Sequence, residues 1–518
     1  MKKQYSHEKE NPMRASRIVL AACLLAVVAS PLCALEVSVK DHGAKGDGKT
    51  DDRLAIQAAI DAVNKAGGGI VNFPEGVYIV TAPNKEPKWE PQVKLCSHLK
   101  LQGVGMLKSV IKMADNQGAY DTIFAGDAIE GFSMLDLAID ANGETNPVIS
   151  TKDEQSPYLH TPVYLPKAKD VAIQRCRFTN LSGVWAVYLP GRAENVVIDS
   201  CLFDNIGGYT KNDWDHSCIR VDGYGPCIVS NNEMTTRFGA GTTGARTAVE
   251  IHGSNHKFIN NLITGFRYGI NVCSGGDNRI TEPSVHQYYI ENKLVNVGCG
   301  FAIWGIRNRR YDNLVFERND ITIDIAGWKK FFPEFYGIGI VTYRGVQPPT
   351  LMENVRIVDN QITYVNSEGG TTRSFGMRFD FSIYTDGWSE NPSGQMTNVE
   401  ILRNTISGAY ASGIDLNCVA KNLTIADNTI IDPAQGVKEK NLQCAIRLRD
   451  SLENVRIVNN VFYSDKPKAL VCGIYDAANN LSGCVQANNR VAGSAAAEVP
   501  VYQAAPNRKG AEWKTRQQ

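Results

Sequence analysis

A short pattern recurs along most of this chain and leaves few folds open to it. Segments such as D-V-A-I-Q-R-C-R-F from residue 170, N-V-V-I-D-S-C-L-F from 195, N-V-R-I-V-D-N-Q-I from 354, N-V-E-I-L-R-N-T-I from 398, N-L-T-I-A-D-N-T-I from 422 and N-V-R-I-V-N-N-V-F from 454 share one design. Apolar residues alternate, an Asn or a small residue marks a corner, and another apolar position follows. The copies recur at irregular intervals, mostly about 24 to 44 residues, as in a solenoid carrying loop insertions. Between them runs a second alternating series: G-V-W-A-V-Y-L (183), S-C-I-R-V-D-G (217), A-V-E-I-H-G (248), Y-G-I-N-V (268), F-G-M-R-F-D-F (375), S-G-I-D-L-N (412) and C-A-I-R-L-R-D (444). Period-two alternation marks strands. Two or three short strands per repeat, with Asn and Gly at the bends, describe an all-β chain wound as a right-handed parallel β-helix. An α/β barrel would need helices between the strands, and no room is left for them.

The 518 residues would suggest about two to four domains on length alone, a count that a repeat fold overrides. Residues 1–34 read as a signal peptide: Arg14 and Arg17 precede the apolar run from Ile18 to Ala29, and Pro31 to Ala34 supply a cleavage site. The mature protein is then periplasmic or secreted. The β-helix is expected over 35–490, with an N-terminal cap at about 36–80 and a C-terminal tail over 491–518. One helix is expected inside the cap, where Leu54, Ile56, Ala59, Ile60 and Val63 form an apolar stripe behind an N-cap at Thr50 or Asp51. It should cover the open end of the solenoid, whose edge would otherwise be exposed.

Lys and Arg total 54 and Asp and Glu also total 54, so no basic face for nucleic acid is implied. A basic membrane-binding patch is equally unsupported. Of 13 cysteines, Cys23 and Cys33 fall in the signal. No C-x-x-C pair occurs, which argues against structural zinc. The remainder read mostly as small apolar core residues, with one or two disulfides expected in an exported chain.

The segment V-K-D-H-G-A-K-G-D-G-K-T-D-D-R-L-A-I-Q-A-A-I-D-A-V-N-K-A-G-G-G-I-V-N-F-P-E-G-V-Y-I-V, residues 39–80, resembles the N-terminal signature of the pectate-lyase-like superfamily. That resemblance implies the parallel β-helix and a carbohydrate-directed role. The superfamily runs several reactions, so it implies no single one.

Stacking the second series maps its outer face. If Val187, Ile219, Val249, Ile270, Met377, Ile414 and Ile446 point inward, one outward column reads Tyr164, Tyr188, Arg220, Glu250, Asn271, Trp304, Gly339, Arg378, Asp415, Arg447. A second reads Asp222, His252, Cys273, Ile306, Val341, Asp380, Asn417, Arg449. With coils ~4.8 Å apart, Arg220 lies beside Glu250 and Asp222 beside His252. These four form the candidate catalytic patch, and the insertion 204–216 brings His216 to its edge. Stacked charges also stabilise sheets without any chemistry. Tyr188, Tyr164, Trp214, Asn271, Trp304 and Arg378 are the candidate substrate contacts. The downstream run Arg378, Asp380, Asp415, Arg447, Arg449 alternates in sign, as a structural ladder does, with substrate-carboxylate binding as the other reading.

Two reaction schemes suit the patch. On a polyuronate, Arg220 would neutralise the substrate carboxylate, His252 oriented by Asp222 would remove the adjacent proton, and Tyr188 or His216 would return one, giving elimination or epimerisation. The triplet Glu250–Ile251–His252 resembles the acidic-x-His arrangement of bacterial alginate epimerases, departing from their D-P-H-E motif at Glu250, Ile251 and Gly253. In the other scheme Glu250 and Asp222 are the carboxylate pair of an inverting glycosidase; the N-T-D, G-H-G and R-I-K motifs of polygalacturonases are absent. Neither scheme requires a cofactor, although Asp213, Asp215 and Asp222 could bind calcium. A non-catalytic polysaccharide-binding solenoid is the third reading. Polysaccharide is the partner in all three, and oligomeric state is not legible.

Overall fold

A computed structural model describes residues 35–83, 90–117, 122–146, 161–207, 217–223, 225–236, 247–273, 283–305, 310–329, 335–342, 350–365, 374–380, 382–385, 387–392, 394–434, 436–438, 440–465, 470–477, 484–494 and 499–505. The expected signal segment lies outside them, as do the loop positions Asp213, Trp214, Asp215 and His216. Among the described residues no helix is long and apolar enough to cross a membrane.

The strands form a right-handed parallel β-helix with three faces. One face is a 15-stranded parallel sheet; the other two are joined into a single 28-stranded ladder, because Trp185–Asp199 runs from one to the other. Each coil sits in register on the last. Val187, Ile219, Val249, Ile270, Phe301, Ile338 and Met377 stack as successive partners, and all are buried. Aromatic residues stack in the same way: Tyr289 lies nearly parallel to Phe258 at 5.2 Å and to Phe316 at 5.0 Å. In-register stacking of like apolar residues is how each repeat buries a face that it could not bury alone.

Asparagine earns its place at two corners for two reasons. Asn354, Asn398, Asn422 and Asn454 have φ between 52° and 55°, a left-handed conformation that Asn tolerates better than most residues. Their amides chain from coil to coil at 2.7–3.0 Å. A second column, Asn232, Asn261, Asn292, Asn319, Asn360, Asn404, Asn428 and Asn460, is buried. There Asn261 Nδ2 donates to the Val229 carbonyl at 2.9 Å, while its Oδ1 accepts from Asn232 N and Nδ2. Each side-chain amide thus satisfies backbone groups that the turn leaves unpaired.

The capping helix is Arg53–Lys65, burying Ile56, Ala59, Ile60 and Val63. Leu54, expected in that stripe, is 67% exposed, because the stripe narrows at the helix start. Asp52 stands at the N-cap in place of Thr50 or Asp51, and its carboxylate accepts from Lys45 N and Gly46 N rather than from the helix. The expected disulfides do not form among the described residues, whose eleven cysteines are all free and nine of them buried. Six of them, Cys218, Cys227, Cys273, Cys299, Cys444 and Cys472, occupy strand positions, Cys444 beside Cys472 in register. The solenoid also continues past the expected boundary at 490, since Tyr502–Ala504 pairs in parallel with Cys472–Asp476.

Candidate active site

The outer face of one sheet carries the patch. Arg220 is the lateral partner of Glu250, and Asp222 of His252, the neighbours the stacking expected. The alternation that places them breaks at one corner of every coil. Ala186 and Val187, Cys218 and Ile219, and Ala248 and Val249 all face the core as consecutive pairs. The residue just before each pair therefore faces outward as well, giving a third column that begins Trp185, Ser217, Thr247, Tyr268. The corner tolerates only small residues: a Cβ at Gly269 would lie 2.3 Å from Leu294 Cδ2. Trp185 was missed because simple alternation gave it the parity of Val187. The repeated small residue before each inward position was the signal that could have found it.

Trp185 is the floor of the site. The Arg220 guanidinium lies 4.8 Å from its ring centroid and 5.1 Å from that of Tyr188. Tyr164 packs on Tyr188 in turn, with centroids 5.6 Å apart. Arg220 reaches both carboxylates, Asp222 Oδ1 at 3.3 Å and Glu250 Oε1 at 3.4 Å. Burial works against its charge, but Glu250 and Asp222 outweigh that, so the guanidinium holds its proton even more firmly than usual.

His252 differs from the expectation in its partner. Its Nε2 lies 2.7 Å from Glu250 Oε1, while Asp222 Oδ1 is 4.0 Å away. Glu250 is thus the residue that orients it. Burial alone would strip the proton from His252; the Cys273 sulfur, Asp222 and Glu250 overcome this and hold the imidazole well above its ordinary 6.5. Burial also pushes the Cys273 thiol up, against the pull of His252, and Asp222 and Glu250 add their negative charge beside the imidazole. His256, four residues on, shows the opposite outcome. It is buried without a carboxylate, is pushed down to about 4 by burial, and sits 3.1 Å from the His252 carbonyl. Tyr188 completes the patch, donating its hydroxyl to Asp222 Oδ2 at 3.4 Å.

The remaining expected contacts divide. Asn271 is the lateral neighbour of Glu250; its Nδ2 donates to Thr247 Oγ1 at 3.1 Å, and its Oδ1 is buried without a partner. Trp304 is displaced from its expected column. Ala302 stands beside Asn271, and Trp304 beside Cys273, because the small-residue corner falls at Gly300 rather than two residues later. Trp304 packs against a cluster of Tyr268, Cys299, Ala302 and Tyr336. Arg378 lies four coils from Glu250, outside the patch, and donates to Asp380 Oδ2 at 2.8 Å. Among the described residues, the cluster of ligand-type atoms within 4.8 Å is Glu250, His252 and Cys273. That is a mixed O, N and S set, unlike the all-oxygen shell calcium takes.

The fold and its N-terminal sequence signature are those of the pectate-lyase-like right-handed parallel β-helices. The family described as rhamnogalacturonase A/epimerase, pectate lyase-like, matches residues 36–183. The tailspike protein of E. coli bacteriophage HK620, solved with a pentasaccharide, shares the fold at a TM-score of 0.58 and 15% identity, over 90% of this chain and 78% of that one. Among curated relatives, mannuronan C5-epimerase AlgE3 of Azotobacter vinelandii is 29% identical over 267 residues, 48% of this chain. Plasmin and fibronectin-binding protein A of Streptococcus pneumoniae is 32% identical over 466 residues, 83% of this chain. The matches span 14% and 57% of those two relatives' own lengths.

Proposed function

We propose that this is an exported enzyme that acts on a polyuronate by moving the proton at C5, the carbon bearing the carboxylate, as a uronate epimerase or a polysaccharide lyase. The observation that carries this reading is the pairing of two proton carriers with two carboxylates around one guanidinium. His252 pairs with Glu250, Tyr188 pairs with Asp222, and Arg220 touches both carboxylates.

The chemistry follows from the charges. Removing the C5 proton puts negative charge on the substrate carboxylate, and fixed cations lower that barrier. Arg220 and the protonated His252 are the cations at hand. Tyr188 can take the C5 proton while passing its phenolic proton to Asp222. His252, already charged, can donate. Delivered to the opposite face of C5, its proton inverts the centre. Delivered to the oxygen at C4, it lets that C–O bond break and leaves a C4–C5 double bond. This reverses the expected role of His252 from base to acid, because the carboxylates around it keep it protonated.

An inverting hydrolase is less well served. It needs two carboxyls in unlike surroundings, one to act as acid and one as base, whereas Asp222 and Glu250 share one guanidinium at 3.3 and 3.4 Å. Among relatives, the name mannuronan C5-epimerase supports a uronate substrate, and the apolar segment within 1–34 supports export.

Incubation of the purified protein with polymannuronate, polyguluronate, polygalacturonate and a neutral glucan separates the outcomes. New ultraviolet absorbance from an unsaturated product marks a lyase, and solvent deuterium incorporated at C5 with changed stereochemistry marks an epimerase. New reducing ends without absorbance would move the reading to a hydrolase. Binding without turnover on every polymer would move it to a non-catalytic solenoid.

A further inference from the structure

A second group of charges lies on the same face, six coils from the patch. The column that holds Glu250 continues through Asn271, Ala302, Gly339, Arg378 and Asp415 to Arg447, a distance of ~29 Å at ~4.8 Å per coil. Its middle is flat. Ala302 and Gly339 are the smallest side chains available, and a Cβ at Gly339 would meet Arg378 O at 2.7 Å.

Beyond that stretch, among the described residues, three arginines surround two carboxylates. Arg378 and Arg449 both donate to Asp380 Oδ2 at 2.8 Å. Arg449 also takes both oxygens of Asp415, at 3.1 and 2.8 Å. Asp380 and Asp415 are thereby each hydrogen-bonded by at least one arginine. Arg447 is the third, reaching only Asp415 Oδ1 at 3.6 Å, and its Nε is buried without a hydrogen-bond partner. Burial pulls its guanidinium pKa down, against the attraction of Asp415. A ladder present only for stability would not bury a cation it leaves short of an anion, since an underpaired buried charge is costly. The Arg447 side chain is still 13% exposed, so an anion can reach it from the outer face.

We propose that Arg447, supported by Arg378 and Arg449, is a carboxylate-binding subsite for a distant uronate of the same polysaccharide chain whose reacting unit sits at His252. This rests on the polyuronate reading above. Arg suits the task because its planar fork matches a carboxylate in two parallel hydrogen bonds. The subsite would make the enzyme favour long chains over short ones, and it would hold a polymer between successive turnovers.

The test is turnover of oligouronates of defined, increasing length by the wild type, Arg447→Gln and Arg447→Lys. For the wild type, KM should drop about tenfold or more once the oligomer can span both sites, as expected for one charge-assisted hydrogen-bonded contact. Arg447→Gln should lose that drop while keeping wild-type kcat and KM on the shortest substrates, and Arg447→Lys should recover part of it. The thermal midpoint of Arg447→Gln should match or exceed the wild type. The same length dependence in wild type and Arg447→Gln would overturn the subsite. So would a marked fall in the midpoint, which would make Arg447 a stabilising rung. If the wild type turns over short oligouronates without any length step, the subsite alone fails. If it turns over none of any length, the polyuronate reading fails with it.

Discussion

The two charged regions of the outer face share columns, strand geometry and residue types, yet they reach opposite balances. Around His252, two carboxylates face Arg220 and an imidazole that they keep protonated. The proton there is the adjustable charge. Around Arg447, three guanidinium groups face two carboxylates among the described residues, and no group in the set can release a proton near neutral pH. The first region can therefore do acid/base work, whereas the second can only attract an anion. A parallel β-helix lets one scaffold hold both because each outward position is a register site whose occupant changes coil by coil while the core behind it stays apolar.

This contrast can be broken most severely at the first region. Glu250→Gln and His252→Ala should each cut turnover on the native polymer by about 10²–10⁴-fold, the usual contribution of a positioned proton carrier. Circular dichroism should stay close to wild type, since the apolar core behind both side chains is untouched, while the thermal midpoint should fall as one partner of a largely buried ion pair is lost. Retention of wild-type turnover by either variant would remove the acid/base assignment.

Stability should respond in the second region instead. Asp415 has no exposed surface and anchors Arg449 through two hydrogen bonds. Asp415→Ala, which strands that cation, should destabilise the chain by about 3–5 kcal/mol in denaturant unfolding. A change below about 1 kcal/mol would show that Asp415 and Arg449 are not coupled as the geometry indicates.

The pH dependence should separate the regions further. Because the fold raises the His252 pKa, its contribution to stability is complete below the ordinary imidazole range of about 6.5 and is lost as pH rises through the raised value. An acid with that pKa also stops donating in the same window. Turnover should therefore fall about tenfold per pH unit on the alkaline side, and His252→Gln should abolish that limb of the profile. The length step attributed to Arg447 should persist through it. A rate that instead climbs steadily with pH would identify His252 as the base.

The smallest expected effect is that of metal removal. Arg220 and His252 supply the positive charge that a divalent cation would otherwise bring to the substrate carboxylate. Exhaustive chelation should thus change the rate on soluble oligomers by less than about twofold. A loss recovered specifically with calcium would point to Asp213 and Asp215, which precede Arg220 in the sequence.

Much of the site was legible because a solenoid converts sequence spacing into spatial adjacency. Once Val187, Ile219 and Val249 are aligned as the inward residues, Arg220 must neighbour Glu250 and Asp222 must neighbour His252. The same reasoning failed at Trp304, since alternation cannot count through the corner at Gly300, where two consecutive residues face inward. It failed at Trp185 for the same reason. It assigned Asp222 as the orienting partner of His252 from column position alone, whereas the side chains bring Glu250 to 2.7 Å. The disulfides failed differently: export argues for them, but cysteine is also a small apolar residue that fits a ladder position, and this chain uses it so.

The sequence by itself determined the β-helix, its capping helix and the lateral order of the outward residues, because repeat spacing and period-two alternation are set by strand geometry. Only the tertiary structure decided which charges are satisfied. Whether His252 keeps its proton, and how closely Asp415 pairs with Arg447, depend on distances of a few ångströms between side chains and on how much water each retains. Those quantities exist only once the coils are stacked.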